Sequence, residues 1–216
     1  VSLLAVVSGG LDSVTLAYFL RHNGALGHVL TLDYGQRHAR EIVCAERAAQ
    51  ALGAGHTVLR FPALGAVLPS ALTTPGAVVP DAEYAPDNLA ATIVPNRNAI
   101  ILALAYGVAD SLGLDGVAIG VHAGDHALYS DCRPEFIRAY KAMEREALGR
   151  DVMLEAPFLL LHKEHIVTIG AGLRVPFADT WSCYQGEKRH CGRCATCRER
   201  RQAFVRAGVK DPTEYE

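Results

Sequence analysis

The apolar run Val1-Ser2-Leu3-Leu4-Ala5-Val6-Val7 ends in Ser8-Gly9-Gly10-Leu11-Asp12-Ser13, and Val14-Thr15-Leu16-Ala17-Tyr18-Phe19-Leu20 follows at once. A buried strand, a glycine-bearing turn and a helix start, in that order, bring unpaired backbone N–H groups and the positive end of a helix dipole to one spot. Such a spot favours a phosphate. The paired glycines let the backbone approach an anion, Ser8 and Ser13 add hydroxyl donors, and Asp12 can orient a metal ion bound to the phosphate. The plainer reading is a strand-to-helix turn capped by Asp12 or Ser13; glycines placed after a strand and before a helix favour the anion site.

The same order recurs along the chain. Gly27 to Gln36 reads as a second strand ending in a polar turn, Ala39 to Leu52 as a helix, and His56 to Arg60 as a third strand. Gly116 to Gly120 and Val152 to Glu155 read as the fourth and fifth. A helix through Ala99 to Tyr106 is apolar nearly all round, with Asn96 as its cap, and Pro134 opens another whose apolar face is Phe136, Ile137, Tyr140, Met143 and Leu148. This alternation predicts an α/β, doubly wound parallel five-stranded sheet whose ligands lie at the strands' carboxyl ends. Five prolines, Pro62, Pro69, Pro75, Pro80 and Pro86, break the pattern across residues 61–93, predicting an irregular lid or insertion. Arg97 opens a helix where the dipole disfavours a cation, which suggests service to a phosphate or carboxylate. Lys163 either neutralises a phosphate or caps a solvated helix face. His28, His56 and Cys44 read as structural.

Cys183, Cys191, Cys194 and Cys197 follow the spacing Cys-x7-Cys-x2-Cys-x2-Cys, four soft ligands able to close a tetrahedron around Zn2+ with no open position, hence a structural site. Iron–sulfur binding is the rival, but the third gap and proline of ferredoxin-type runs are absent. Arg189, Arg193, Arg198, Arg200 and Arg201 make this stretch basic, read as charge balance for a tetrathiolate centre rather than a nucleic-acid patch. The chain divides into residues 1–178 and a metal-binding segment, 179–216. The net charge of -2 over 216 residues argues against long contact with nucleic acid. No apolar stretch reaches membrane-spanning length, and the first residues read as a core strand rather than a signal, predicting a cytoplasmic protein.

The hexapeptide Ser8 to Ser13 resembles the PP-loop of ATP pyrophosphatases with the adenine nucleotide alpha hydrolase fold. Combined with a C-terminal four-cysteine site, the chain is similar to the 7-cyano-7-deazaguanine synthases. The likeness runs through Asp33-Tyr34-Gly35-Gln36-Arg37-His38, Pro80-Asp81 with Tyr84, Val94-Pro95 with Arg97-Asn98, Tyr129 with Asp131-Cys132-Arg133, Pro157 with Lys163, and Thr180 with Tyr184. That resemblance implies ATP-dependent conversion of 7-carboxy-7-deazaguanine and ammonia to the nitrile through an adenylated carboxylate and an amide, with ATP, Mg2+ and one structural Zn2+, in a homodimer. It implies Asp12, Lys163, Arg97 and Arg133 as catalytic residues. Ser8, Gly9, Gly10, Leu11, Asp12, Ser13, Asp33, Tyr34, Gln36, Arg37 and Lys163 would bind the nucleotide; Arg97, Asn98, Asp125, Tyr129, Asp131 and Arg133 would bind the base, Asp125 or Asp131 reading its guanine-like edge.

The chain departs from the family's usual Glu-Thr-Asp-Phe-Ser-Gly-Tyr-Pro-Asp-Cys-Arg at Ala123 to Arg133, losing a carboxylate at Ala123 and a hydroxyl at Ala127, with His122 and His126 added. Asn96 stands where glycine is common. An alternative is therefore a diverged ligase that joins the same carboxylate to another amine, even one on a protein. A tRNA-thiolating PP-loop enzyme is a third reading, with Cys44 and Cys132 as the cysteines left for sulfur chemistry, and a non-catalytic zinc-stabilised nucleotide-binding module is another.

Overall fold

Leu3, Leu4 and Ala5 are buried in succession, which requires cover on both faces of their strand. The computed structural model describes residues 1–36, 40–74, 76–77, 79, 90–185 and 188–216. Strands β1 (Leu3–Val6), β2 (Leu26–Asp33), β3 (Gly55–Arg60), β4 (Gly116–Ala118) and β5 (Met153–Glu155) form one sheet in the order β3-β2-β1-β4-β5. Every pairing is parallel. The helices are α1 (Leu11–His22), α2 (Arg40–Ala51), α3 (Ala63–Val67), α4 (Arg97–Ser111), α5 (Pro134–Leu148), α6 (Lys163–Gly172) and α7 (Ala195–Ala207).

Two buried layers flank the sheet. On one face Leu11 and Leu16 of α1, Ala45 of α2, Ile166 of α6 and Phe204 of α7 form one core; on the other Leu102 and Tyr106 of α4 and Ile137 and Tyr140 of α5 form a second. The buried tyrosines keep their hydroxyls satisfied: Tyr106 donates to the Met153 carbonyl at 2.8 Å and Tyr140 to the Ala99 carbonyl at 2.9 Å. His28 and His56 are structural, each bonded to a threonine of a neighbouring strand, Thr57 and Thr31.

Three local expectations are corrected. Met143 faces solvent; Ile137, Tyr140 and Glu144 are the buried positions of α5, and Met143, six residues from Ile137, lies about 120° away round the helix. Asn96 holds the N-cap position of α4, with left-handed backbone (φ 57°), but its side chain makes no capping bond; the Asp131 carboxylate accepts the Asn98 N–H at 2.9 Å. That left-handed turn suits glycine or asparagine alike. The excursion over 61–93 is not irregular throughout, since α3 and a short turn of 3-10 helix at Ala90–Thr92 lie within it. Ala71, Leu72 and Val79 pack on Leu32, Tyr34 and Val94, and the Ala71 N–H donates to the Ala91 carbonyl at 2.7 Å.

The chain leaves β1 toward β2 and β3 on one side and fills β4 and β5 on the other, so the connections diverge at the carboxyl ends of β1 and β4. A crevice opens at such a reversal. Gly9 sits at its floor with φ 98°, and a Cβ there would meet the Glu41 carbonyl oxygen at 2.0 Å. Gly9→Ala is expected to cost well over 1 kcal/mol, a fall of more than about 3 °C in midpoint, from strain and clash together. Gly24→Ala, with positive φ but nothing within 4 Å, should cost only the strain. Thermal melts of both variants check this; equal losses would remove the clash from the account.

Candidate functional site

A cavity fills the crevice. Ser8, Gly10, Leu11, Asp12 and Ser13 line it from the β1–α1 turn, Ile119, Gly120 and Val121 from beyond β4, Leu72 from the excursion, and Trp181, Ser182 and Tyr184 from the stretch before α7. The turn is pre-shaped from within: the Ser13 hydroxyl lies 3.1 Å from both the Ser8 N–H and the Ser8 hydroxyl, and the Ser8 hydroxyl accepts the Gly10 N–H at 3.3 Å. The Trp181 N–H donates to the Gly9 carbonyl at 2.9 Å, tying the C-terminal segment to the loop.

Beside the turn stands a compact charge cluster. Lys163 Nζ, at the first position of α6, lies 3.4 Å from Asp12 and 2.5 Å from Glu199 of α7. Burial pulls the ammonium toward neutrality, but Asp12, Glu199 and Asp125 outweigh it and hold the lysine charged, above its ordinary range. His122 is 2% exposed; its Nδ1 accepts the Gly124 N–H at 3.1 Å, so in the neutral ring Nε2 carries the proton and points at Asp125, 3.5 Å away, and Asp12, 4.0 Å away. Asp12 Oδ1 is buried without a hydrogen-bond partner among the described residues, an orphaned oxygen that fits a cation. A turn of N–H and hydroxyl donors beside a fixed ammonium can hold a multiply charged phosphate.

A second group on the cavity wall has another character: Glu41, Tyr34, Arg97, Tyr129 and Tyr184. Burial raises the Tyr34 phenol and the charge of Arg97 opposes it, and the Arg97 guanidinium lies 6.0 Å from the centre of the Tyr129 ring. Burial, opposed only by Arg97, lifts the Glu41 carboxyl to about 7. Burial likewise raises the Tyr184 phenol, keeping it protonated. Cys132 is buried beside Asn98, and burial followed by the charges of Asp125 and Asp131 holds its thiol well above the usual range, the opposite of an activated sulfur nucleophile.

Away from the cavity floor, the Sγ atoms of Cys183, Cys191, Cys194 and Cys197 lie within 4.8 Å of one another, all buried. Four thiolates about 2.3 Å from one ion stand about 3.8 Å apart, and Cys183 and Cys194 are 3.9 Å apart. Backbone N–H groups of Gln185 and Cys191 both point at the Cys183 sulfur at 3.3 Å, as a thiolate ligand requires. The four cysteines are thus a site able to hold a metal ion. His190 is not part of it: its Nε2 accepts the Ser182 N–H and its ring packs on Trp181.

A family profile described as queuosine biosynthesis protein QueC matches residues 2–208. The chain belongs to the QueC family. It is 49% identical, over 99% of its own length and 91% of theirs, to the 7-cyano-7-deazaguanine synthase of Rhizobium rhizogenes. The enzymes of the same name from Brucella ovis and Brucella melitensis are also 49% identical, over 99% of this chain and 93% of those proteins.

Within this QueC-family cavity the structure assembles Ser8, Gly10, Leu11, Asp12, Ser13, Tyr34, Gln36, Arg97, Asn98, Asp125, Tyr129 and Lys163 from the residues that sequence singled out. Gly9 lies beneath the loop rather than on the wall. Gln36 is spent on the backbone of Leu32 and Tyr34, and Asp33 on the Gly35 N–H. Asp131 is occupied with the start of α4, and exposed Arg133 donates its Nε to the His126 carbonyl at 2.7 Å, so neither joins the cavity. Arg37, His38, Pro80, Asp81 and Tyr84 fall outside the described residues. Glu41, His122 and Glu199 are on the wall but carried no site assignment from sequence: an acid in a first helical turn reads as dipole-matching, and Glu199, two residues beyond Cys197, reaches Lys163 only through the packing of α7 on α6. The arginines near the cysteines also have structural tasks. Arg200 is 1% exposed and bonds Thr180, Ser182, Thr213 and the Phe177 carbonyl, while Arg198 and Arg201 bond the carbonyls of Arg193 and Gly192.

Two measurements follow from these environments. Unfolded, Glu41 titrates near its ordinary 4.5; folded, near 7. The native state therefore holds that proton more tightly and loses stability as pH rises through this window. Glu41→Gln should melt higher than the parent at pH 8 by a margin that shrinks at pH 5; a pH-independent difference would refute the titration. Cys194→Ser should lower both bound metal, measured by plasma mass spectrometry, and the melting midpoint, because metal binding and folding are coupled. A metal-free variant melting like the parent would deny that cluster its structural role.

Proposed function

We propose that the protein converts 7-carboxy-7-deazaguanine and ammonia to 7-cyano-7-deazaguanine using ATP. The observation that carries this reading is 49% identity along 99% of the chain to synthases of that name. The cavity supports it by combining an anion-binding turn with a wall of Arg97, Glu41 and three tyrosines able to meet a polar heterocycle.

A carboxylate is a poor acyl donor because its leaving group is oxide. In the proposed sequence a carboxylate oxygen attacks the α-phosphorus of ATP and the bond to pyrophosphate breaks. Ammonia adds to the activated carbonyl, loses a proton and expels AMP, leaving the amide. A second ATP adenylates the amide oxygen, and loss of AMP with the two amide protons leaves the nitrile. The Ser8–Ser13 turn and Lys163 hold the departing pyrophosphate, stabilising charge as it develops. Asp12, with its orphaned oxygen, receives the Mg2+ that accompanies ATP, which would supply neutralisation of phosphate charge. Arg97 pairs with the substrate carboxylate. We assign Zn2+ to the four cysteines of segment 179–216, with residues 1–178 as the nucleotide-binding part, and a cytoplasmic homodimer as the working form. The raised thiol of Cys132 weighs against sulfur transfer.

Mass spectrometry of 7-carboxy-7-deazaguanine incubated with the protein, Mg-ATP and ammonium should detect the nitrile, with pyrophosphate released in step. Accumulation of amide alone would overturn the full reaction. Lys163→Ala should slow pyrophosphate release by about 100-fold or more while retaining zinc; unchanged release would take Lys163 out of the mechanism.

A further inference from the structure

Four described carboxylates line the cavity: Asp12, Asp125, Glu199 and Glu41. The first three converge on Lys163 and His122 at the phosphate end. Asp131, which sequence offered as a reader of the base, is bonded to the first turn of α4. Glu41 differs from all of them. It lines the cavity near Arg97, Tyr34 and Tyr184, and among the described residues no hydrogen bond or ion pair reaches its carboxylate. Its main chain is pinned as well, because the Glu41 carbonyl oxygen packs directly on Gly9. A desolvated acid that no hydrogen bond satisfies is unfavourable in the free protein, and a ligand carrying N–H donors removes the penalty.

We infer that Glu41 is the specificity-determining residue that reads the guanine-like edge of the base, accepting the ring N–H and the exocyclic amine through its two oxygens. This rests on the proposed substrate and deepens it. A guanine-type edge presents two adjacent donors, which a carboxylate matches with both oxygens. The adenine of ATP presents one donor beside an acceptor, which would face a carboxylate oxygen with a lone pair, so Glu41 suits the base and not the nucleotide. The elevated affinity of Glu41 for a proton agrees with a buried acid whose charge Arg97 offsets only in part.

The test compares 7-carboxy-7-deazaguanine with its analogue lacking the 2-amino group, in the parent protein, Glu41→Ala and Glu41→Gln, measuring kcat/KM by pyrophosphate release and affinity by calorimetry. A site built around a donor rejects the analogue lacking it strongly, so the parent should prefer the amino compound by about 100-fold or more. Glu41→Ala should lose most of that preference with little change in KM for ATP. Glu41→Gln, which keeps size and folding, should lose part of it. Preference retained in both variants, or a change confined to KM for ATP, overturns the assignment of Glu41 alone. If the parent neither binds nor turns over 7-carboxy-7-deazaguanine, the proposed function fails and this inference falls with it.

Discussion

The backbone of Gly9 is the point through which the separate parts of this protein act on one another. Its positive φ turns the chain out of β1, its bare Cα lets the Glu41 carbonyl oxygen come within 2.0 Å of where a side chain would begin, and its carbonyl receives the Trp181 N–H. One residue thus fixes the phosphate turn against α2 on one side and against the cysteine-bearing segment on the other. Because Glu41 and Trp181 both line the cavity, the close packing that shapes the turn also places part of the cavity wall.

Two electrostatic regimes share this cavity. At the turn, Lys163 is surrounded by carboxylates, so its charge is secured before any ligand arrives, and the N–H groups and hydroxyls remain to meet phosphate oxygens. Elsewhere on the wall, Arg97 sits among phenols and Glu41 lacks a hydrogen-bonding partner among the described residues, an arrangement that a polar ligand would satisfy. Holding an incomplete site costs stability in the free protein and gives selectivity on binding. The division matches a reaction that transfers AMP from ATP to a carboxylated heterocycle and releases pyrophosphate, with the turn handling the departing charge.

The cysteine segment belongs to the same physical unit as the cavity. Ala203 and Phe204 of α7 are buried with Leu11, Leu16 and Ile166, and Glu199 of that helix reaches Lys163. The buried Arg200 clamps the start of the segment to its end through Thr180 and Thr213. A metal held by the four thiolates would therefore brace the helix that supplies Glu199, although it stands apart from the phosphate turn.

The local order of residues determined much of this. Apolar runs followed by amphipathic ones dictate a parallel sheet, the Ser8–Ser13 turn dictates an anion site at its first crossover, and four cysteines at short spacing dictate a metal-capable cluster, because each depends on neighbours in sequence. Tertiary structure alone decided which charges share the cavity. Asp131 and Arg133 carry the same chemistry as Asp125 and Arg97, yet backbone groups of α4 and the His126 carbonyl engage them elsewhere. Glu41 and Glu199 gained their places from helix packing across long sequence separations, where a single rotation of α2 or α7 would have turned either acid to water. Periodicity reports which face of a helix is buried; it does not report what that face meets.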